Sequence, residues 1–115
     1  MTPRPGTYSH VTIVGRLGSR RDERSLPSGD EMVVFDLIVD RVPARGATKA
    51  LHGAKVDTIP CRVLRATLRR KVLALEAGTA VEASGRLHRR FWRAGLTGGA
   101  LASALEVEVD SISRQ

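Results

Sequence analysis

The feature that most constrains this chain is a two-residue rhythm of apolar side chains that recurs along it and gives way once to helical spacing. From His10 to Leu17, Val11, Ile13 and Leu17 fall on one side while His10, Thr12 and Arg16 fall on the other. This is the pattern of a strand with one buried face. Met32 to Arg41 repeats it through Val33, Phe35, Leu37 and Val39, and Val34 and Ile38 make the opposite side partly apolar, as in a strand covered on both faces. A third strand runs from about Val56 to Arg65 with Ile59, Cys61 and Val63 inward; Pro60, which has no N–H to donate, suits an edge or a bulge. The period then changes. Leu64, Leu68, Val72 and Leu75 recur at helical spacing, with Arg65, Arg69, Arg70 and Lys71 on the wet side and Gly78 just past the end. Thr79 to about Trp92 is a fourth strand, with Val81, Ala83, Gly85 and Leu87 on one face and Glu82, Ser84, Arg86, His88, Arg90 and Trp92 on the other. Leu105, Val107 and Val109 alternate with Glu106, Glu108 and Asp110 as a fifth.

Three strands, a helix and two further strands predict an all-β domain, a five-stranded OB-fold barrel with one short helix between strands 3 and 4. Residues 1–8 read as a flexible N-terminal arm and 9–113 as the domain. The connections are a polar stretch, Ser19 to Glu31, with turn chemistry at Leu26-Pro27-Ser28-Gly29-Asp30, a basic loop over about 42–55, and a small-residue tip from Ala94 to Ser103. A loop as long as 42–55 inside a compact domain is usually functional or disordered. The 115 residues suit one domain with its own core. No apolar run reaches the roughly 18 residues a membrane span needs. The single cysteine excludes an internal disulfide, and the N-terminus lacks the plan of a signal peptide, so a soluble, cytoplasmic protein is expected.

Nineteen Lys and Arg against twelve Asp and Glu give a formal net charge of +7, which favours a polyanionic partner. Between Arg41 and Lys71 the only acid is Asp57, against Arg41, Arg45, Lys49, Lys55, Arg62, Arg65, Arg69, Arg70 and Lys71. Arg86 to Arg93 holds four arginines and no acid, while acids gather at Glu106, Glu108 and Asp110. Catalysis finds no foothold. His10, His52 and His88 lie in separate segments, Cys61 sits on the core parity as a small hydrophobe, and no HExxH, CxxC, P-loop or GxSxG pattern occurs. The expectation is a protein that is not an enzyme, with no cofactor and no metal. Binding has more to build on. The row Arg86, His88, Arg90, Trp92, with Arg89, Phe91 and Arg93 beside it and Arg62 on the neighbouring row, combines the two needs of a single-strand groove: cations for phosphates and a flat face for a base.

An ordered set of motifs then resembles one family. Ser9-His10-Val11-Thr12-Ile13-Val14-Gly15-Arg16-Leu17 is similar to the opening strand, N-x-V-x-L-x-G-R-L, of bacterial single-stranded DNA-binding proteins. Pro27-Ser28-Gly29 followed by Val33-Val34-Phe35-Asp36-Leu37-Ile38-Val39-Asp40-Arg41 resembles that family's G-x-x-V-x-x-F-x-L-A-V-x-R. Asp57-Thr58-Ile59-Pro60-Cys61 is similar to D-F-I-x-C, and Gly78 to Leu87, closed by Arg90-Phe91-Trp92, to K-G-x-x-V-x-V-x-G-R-L and its basic-aromatic close. The likeness spans residues 9 to 110. Of the four positions at which the family stacks bases on aromatics, only Trp92 keeps one; Pro43, Thr58 and Leu64 stand at the others, and Ala77 replaces the usual lysine. The family's acidic C-terminal tip has no counterpart, so a short, tail-less member is expected.

The resemblance implies binding of single-stranded DNA with little sequence preference, in replication, recombination or repair, and a cytoplasmic, nucleoid-associated location; RNA is left open as a second partner. Trp92 would stack a base while Arg62, Arg86, Arg89 and Arg90 line the face, Arg41, Arg45, Lys49 and Lys55 guide the backbone, and Arg16 and Arg65 flank it. It also implies a homo-oligomer, a homotetramer or dimer, with His10, Val11, Thr12, Ile13 and Val14 at the contact. An accessory module resembling primosomal replication protein N, or an OB interaction domain with weak nucleic-acid binding, is the alternative that the depleted aromatics favour.

Overall fold

The computed structural model of the chain describes residues 6–42, 55–95 and 98–115. The elements are β1 (Val11–Ser25), β2 (Glu31–Asp40), β3 (Val56–Val63), α1 (Ala66–Ala74), β4 (Ala80–Arg93) and β5 (Leu101–Arg114). The strands close into a barrel in the order β1-β2-β3-β5-β4. This is the five-stranded OB barrel with one short helix between β3 and β4. All neighbours are antiparallel except β3 and β5, which run parallel and pair through Cys61 with Val107 and Arg62 with Glu108. Pro60 lies just outside that short pairing, a place where a residue without a donor does little harm.

The alternating apolar residues make the core. Leu17, Val33, Phe35, Leu37, Cys61, Val63, Val81, Ala83, Val107 and Val109 are all buried together, with Val72 of α1 plugging the cluster. In β5 the inward set steps from Val109 to Ile112 rather than to Ser111. The cause is a bulge: Ser84 pairs Ser111 and Gly85 pairs Val109, leaving Asp110 without a partner and changing the parity of the strand. Gly85 is required there, because a Cβ would collide with the backbone carbonyl of Glu108 and its Cα-bearing neighbour Val109.

Two elements differ from the sequence expectation. β1 does not stop near Leu17 but continues through the polar residues to Ser25. Its outer half carries no apolar rhythm because charge does the partnering. Arg20 makes two hydrogen bonds to Asp36 of β2, at 2.9 and 2.8 Å, and Asp22 lies between Arg20 and Arg24. Arg21 donates to the carbonyls of Val72 and Leu75, closing the C-terminal end of α1 where backbone acceptors lack partners. β5 likewise begins earlier than expected, at Leu101, so that β4 and β5 form a long hairpin paired out to Arg93 and Leu101. The helix is shorter than its apolar spacing predicts, because Leu64 and Arg65 precede its first turn and Leu75 is already extended. Residues 1–5 of the expected arm and 43–54 of the expected basic loop lie outside the described residues.

β1 divides its partners. Val11–Arg16 pairs β4, and Arg16–Ser25 pairs β2 with an irregularity between Leu17 and Arg21. The transfer is possible because Gly15 has no side chain: a Cβ there would stand 2.6 Å from the carbonyl oxygen of Ile38.

Replacing Gly85 by Val is therefore expected to lower the unfolding free energy by about 1–3 kcal/mol, the usual cost of overpacking. A fall in the urea midpoint at unchanged m-value would show it; an unaltered midpoint would mean that the bulge has room the geometry does not indicate.

Candidate nucleic-acid interface

β5 lies between β3 and β4, and the outward residues of these three strands form one charged face. Arg62 projects from β3, Glu106 and Glu108 from β5, and Arg86, Arg90 and Trp92 from β4. Glu108 bonds Arg86, 2.9 Å from its Nε and 2.8 Å from an Nη, and lies 4.0 Å from Arg62. Glu106 is 3.5 Å from both Arg62 and Arg90. The Arg90 guanidinium stands over the Trp92 ring, 4.5 Å from its centroid, within cation–π range. Trp92 remains 38% exposed.

Burial grades these side chains. Glu106 is only 4% exposed and Arg62 14%, whereas Arg86 is 67% exposed and Arg90 41%. Arg62 Nε and Glu106 Oε1 are buried without a hydrogen-bond partner, facing each other beyond good bonding distance. Arg62 thus helps to hold the barrel together as well as adding charge to the face. Arg86 and Arg90 are the cations with room to meet a ligand.

The remaining predicted residues fall in several places. Arg65 joins Leu64, Leu68, Arg86, Glu108, Val109 and Asp110 around a cleft of about 290 Å³ beside the charged face. Thr58, exposed on β3, and Leu64, half-buried in that cleft, occupy two of the expected stacking positions. Arg41 lies beyond the other end of β2, with its Nη2 2.6 Å from Asp57, and its N–H bonds the carbonyl of Lys55, bringing those two cations together. Arg16 pairs with Asp40 at 3.3 Å. Arg45, Lys49 and Pro43 lie outside the described residues.

Arg89 does not join the face. It is an odd step from Arg86 and Arg90 along β4 and lies on the other side of the hairpin, where it bonds the Ser103 hydroxyl. Its neighbours there are Leu87, Phe91, Leu101 and Leu105, all about half exposed, an apolar row that the charge-led reading of this strand passed over. The acids were also misplaced by sequence position alone. Glu106 and Glu108 look remote from the arginines along the chain, yet they sit among them. Their alternation with Val107 and Val109 marked them as outward-facing, but only the β3–β5 contact puts Arg62 beside them.

Cys61 lies directly behind this face, fully buried. Burial first, and then the negative charges of Asp36 and Glu106, pushes its thiol from 9.0 up to about 12. Folding therefore favours the protonated thiol, and the stability this contributes is complete below pH 9 and is lost as the pH climbs toward 12. Ellman's reagent should find no reactive thiol in the native protein at pH 8 and one per chain after denaturation. A rapid native reaction would contradict this burial. Arg62→Ala, which leaves Glu106 buried with only Arg90 nearby, is expected to cost about 3 kcal/mol of stability, measurable by chemical denaturation.

Among the described residues no helix is long and apolar enough to cross a membrane, and no three His, Cys, Asp or Glu side chains gather as a metal site would need. None of the curated proteins matches the chain in sequence. Two solved structures are similar in fold. A Plasmodium falciparum SSB in complex with single-stranded DNA is 20% identical, with a TM-score of 0.72 over 99% of this chain and 96% of that one. The mitochondrial single-stranded DNA-binding protein of S. cerevisiae is 15% identical, with a TM-score of 0.63 over 94% and 95% of the two chains. The family match rests on sequence and covers residues 8–115. With that match over nearly its whole length, the chain belongs to the single-strand binding protein family.

Proposed function

We propose that the chain binds single-stranded DNA by laying it across the outward face of β3, β5 and β4, where Arg86 and Arg90 meet phosphates and Trp92 stacks a base. The observation that carries this reading is the convergence of Arg62, Arg86, Arg90 and the partly exposed indole on one surface of the barrel. Family membership supplies single-strand binding itself, a non-catalytic activity that serves replication, recombination and repair. Arg65 and the cleft beside it extend the path toward α1, and Arg41 with Lys55 extends it along β3 toward the segment that holds Arg45 and Lys49. Sequence preference should be slight, because phosphate contacts and stacking do not read base edges. The cytoplasm with its nucleoid is the expected setting, and a parallel titration with RNA tests whether RNA shares the surface.

The first strand supports an oligomer. Val11 to Val14 have a described ladder partner, β4, on one side only, and Val14 is 57% exposed. An open strand edge is a template for another chain, and a second copy pairing along His10 to Val14 would give a dimer from which a tetramer can be built. The apolar row of Leu87, Phe91, Leu101 and Leu105 favours a further role in binding protein, as an accessory replication module would have.

Titration with oligo-dT at low salt should quench Trp92 fluorescence, and added salt should reverse it. Trp92→Ala is expected to weaken binding by about 1–3 kcal/mol. Arg90→Glu should weaken it far more than Arg114→Glu, which alters the end of β5. No quenching together with no gel shift would reject the reading. Light scattering that gives a monomer mass would reject the oligomer.

A further inference from the structure

We propose that Glu108 is a built-in competitor for the DNA phosphates, with Glu106 a fixed neighbour: in the free protein Glu108 occupies Arg86, and a strand must displace it to bind. This rests on the reading of the β3–β5–β4 surface as the DNA-binding face. Its basis is the position of β5 at the middle of that surface. Each of the two carboxylates stands between two guanidiniums, Glu106 between Arg62 and Arg90 and Glu108 between Arg62 and Arg86. Three cations against two anions leave this strip with one net positive charge.

The two acids are not equivalent. Glu106 is buried beside Arg62 at 3.5 Å, too far for a good charge-assisted hydrogen bond, and belongs to the fabric of the barrel. Glu108 is 19% exposed and accepts a 2.9 Å hydrogen bond from Arg86 Nε, with Nη2 2.8 Å away as an ion pair, while Arg86 itself is largely open to solvent. Arg86 is thus the cation best placed to reach a phosphate and also the most firmly occupied. A carboxylate already bonded to a guanidinium is present at a high effective concentration, so a phosphate gains only the difference between the two partners. Salt sensitivity follows from the same exchange. An arginine held by a carboxylate neutralises no phosphate, and so releases none of the cations condensed on the strand, until the carboxylate lets go, which weakens binding and flattens its dependence on salt.

Glu108→Gln keeps the shape and removes the competitor. It is expected to bind oligo-dT several-fold to about tenfold more tightly at low salt and to steepen the log–log salt slope by about 0.7, the increment for one further phosphate contact on a single strand. Glu76→Gln, in the turn between α1 and β4, changes net charge equally and should leave affinity and slope near those of the unaltered protein. The double variant Glu108→Gln/Arg86→Gln should return the slope to its starting value. In the unaltered protein the Arg86 Nε–H resonance should move when oligo-dT is added, a readout that does not depend on any variant folding. If the protein binds DNA in a Trp92-dependent way but Glu108→Gln binds no tighter and the Arg86 resonance stays fixed, the competitor role is overturned and the DNA-binding reading stands. Equal gains from Glu108→Gln and Glu76→Gln would reduce the effect to net charge and also overturn it. Failure of every form to bind oligo-dT would bring down both.

Discussion

A five-stranded sheet becomes a barrel only if its last edge finds its first, and in this chain that closure rests on two parallel residue pairs between β3 and β5. So short a parallel contact contributes few ladder bonds, and the side chains on either side of the sheet must do much of the joining. On the inner side Cys61 and Val107 are buried in the common core. On the outer side Arg62 stands beside Glu106 and Glu108. The pairs that close the fold therefore sit directly beneath the surface proposed to meet DNA. Arg62 illustrates the overlap: its charge faces a polyanion's path, yet its loss would first be felt as an unpaired carboxylate in the wall of the barrel.

On the proposed reading, this surface relies more on charge than on stacking. Thr58 and Leu64 offer no aromatic plane, so the described face has one indole and a set of guanidiniums. Stacking is nearly indifferent to salt, whereas phosphate contacts are not. Arg90 links the two modes, because its guanidinium lies over Trp92 while Glu106 approaches it from the side. A base arriving on that ring would be held against a π-system already polarised by a cation.

Much of the architecture was legible because each strand places its large apolar residues on one parity: Val33, Phe35 and Leu37 in β2, Cys61 and Val63 in β3, Val81 and Ala83 in β4. The outer half of β1 was not, since Arg20, Arg21 and Arg24 find their partners in Asp36, the end of α1 and Asp22, none of which leaves an apolar rhythm. The start of β5 was hidden by Ala102 and Ser103, small residues that read as part of a tip. At the site, the outward row Arg86, Arg90, Trp92 followed from parity, and the same parity should have set Arg89 apart. Charge clustering along the chain hid that. The acids interleaved with the arginines needed the parallel contact, a long-range pairing for which no local pattern exists.

The divided partnership of β1 has a mechanical side. From Val11 to Arg16 the strand is bonded to β4, and from Arg16 onward to β2. A pull on the N-terminal end would load the β4 ladder first and strip it pair by pair, reaching the β2 ladder only after passing Gly15. Ile13 and Leu17 are both core residues on either side of Gly15, so tension at this end would draw Ile13 out of the interior while Leu17 still holds, opening the β1–β4 wall before the β2 ladder is loaded.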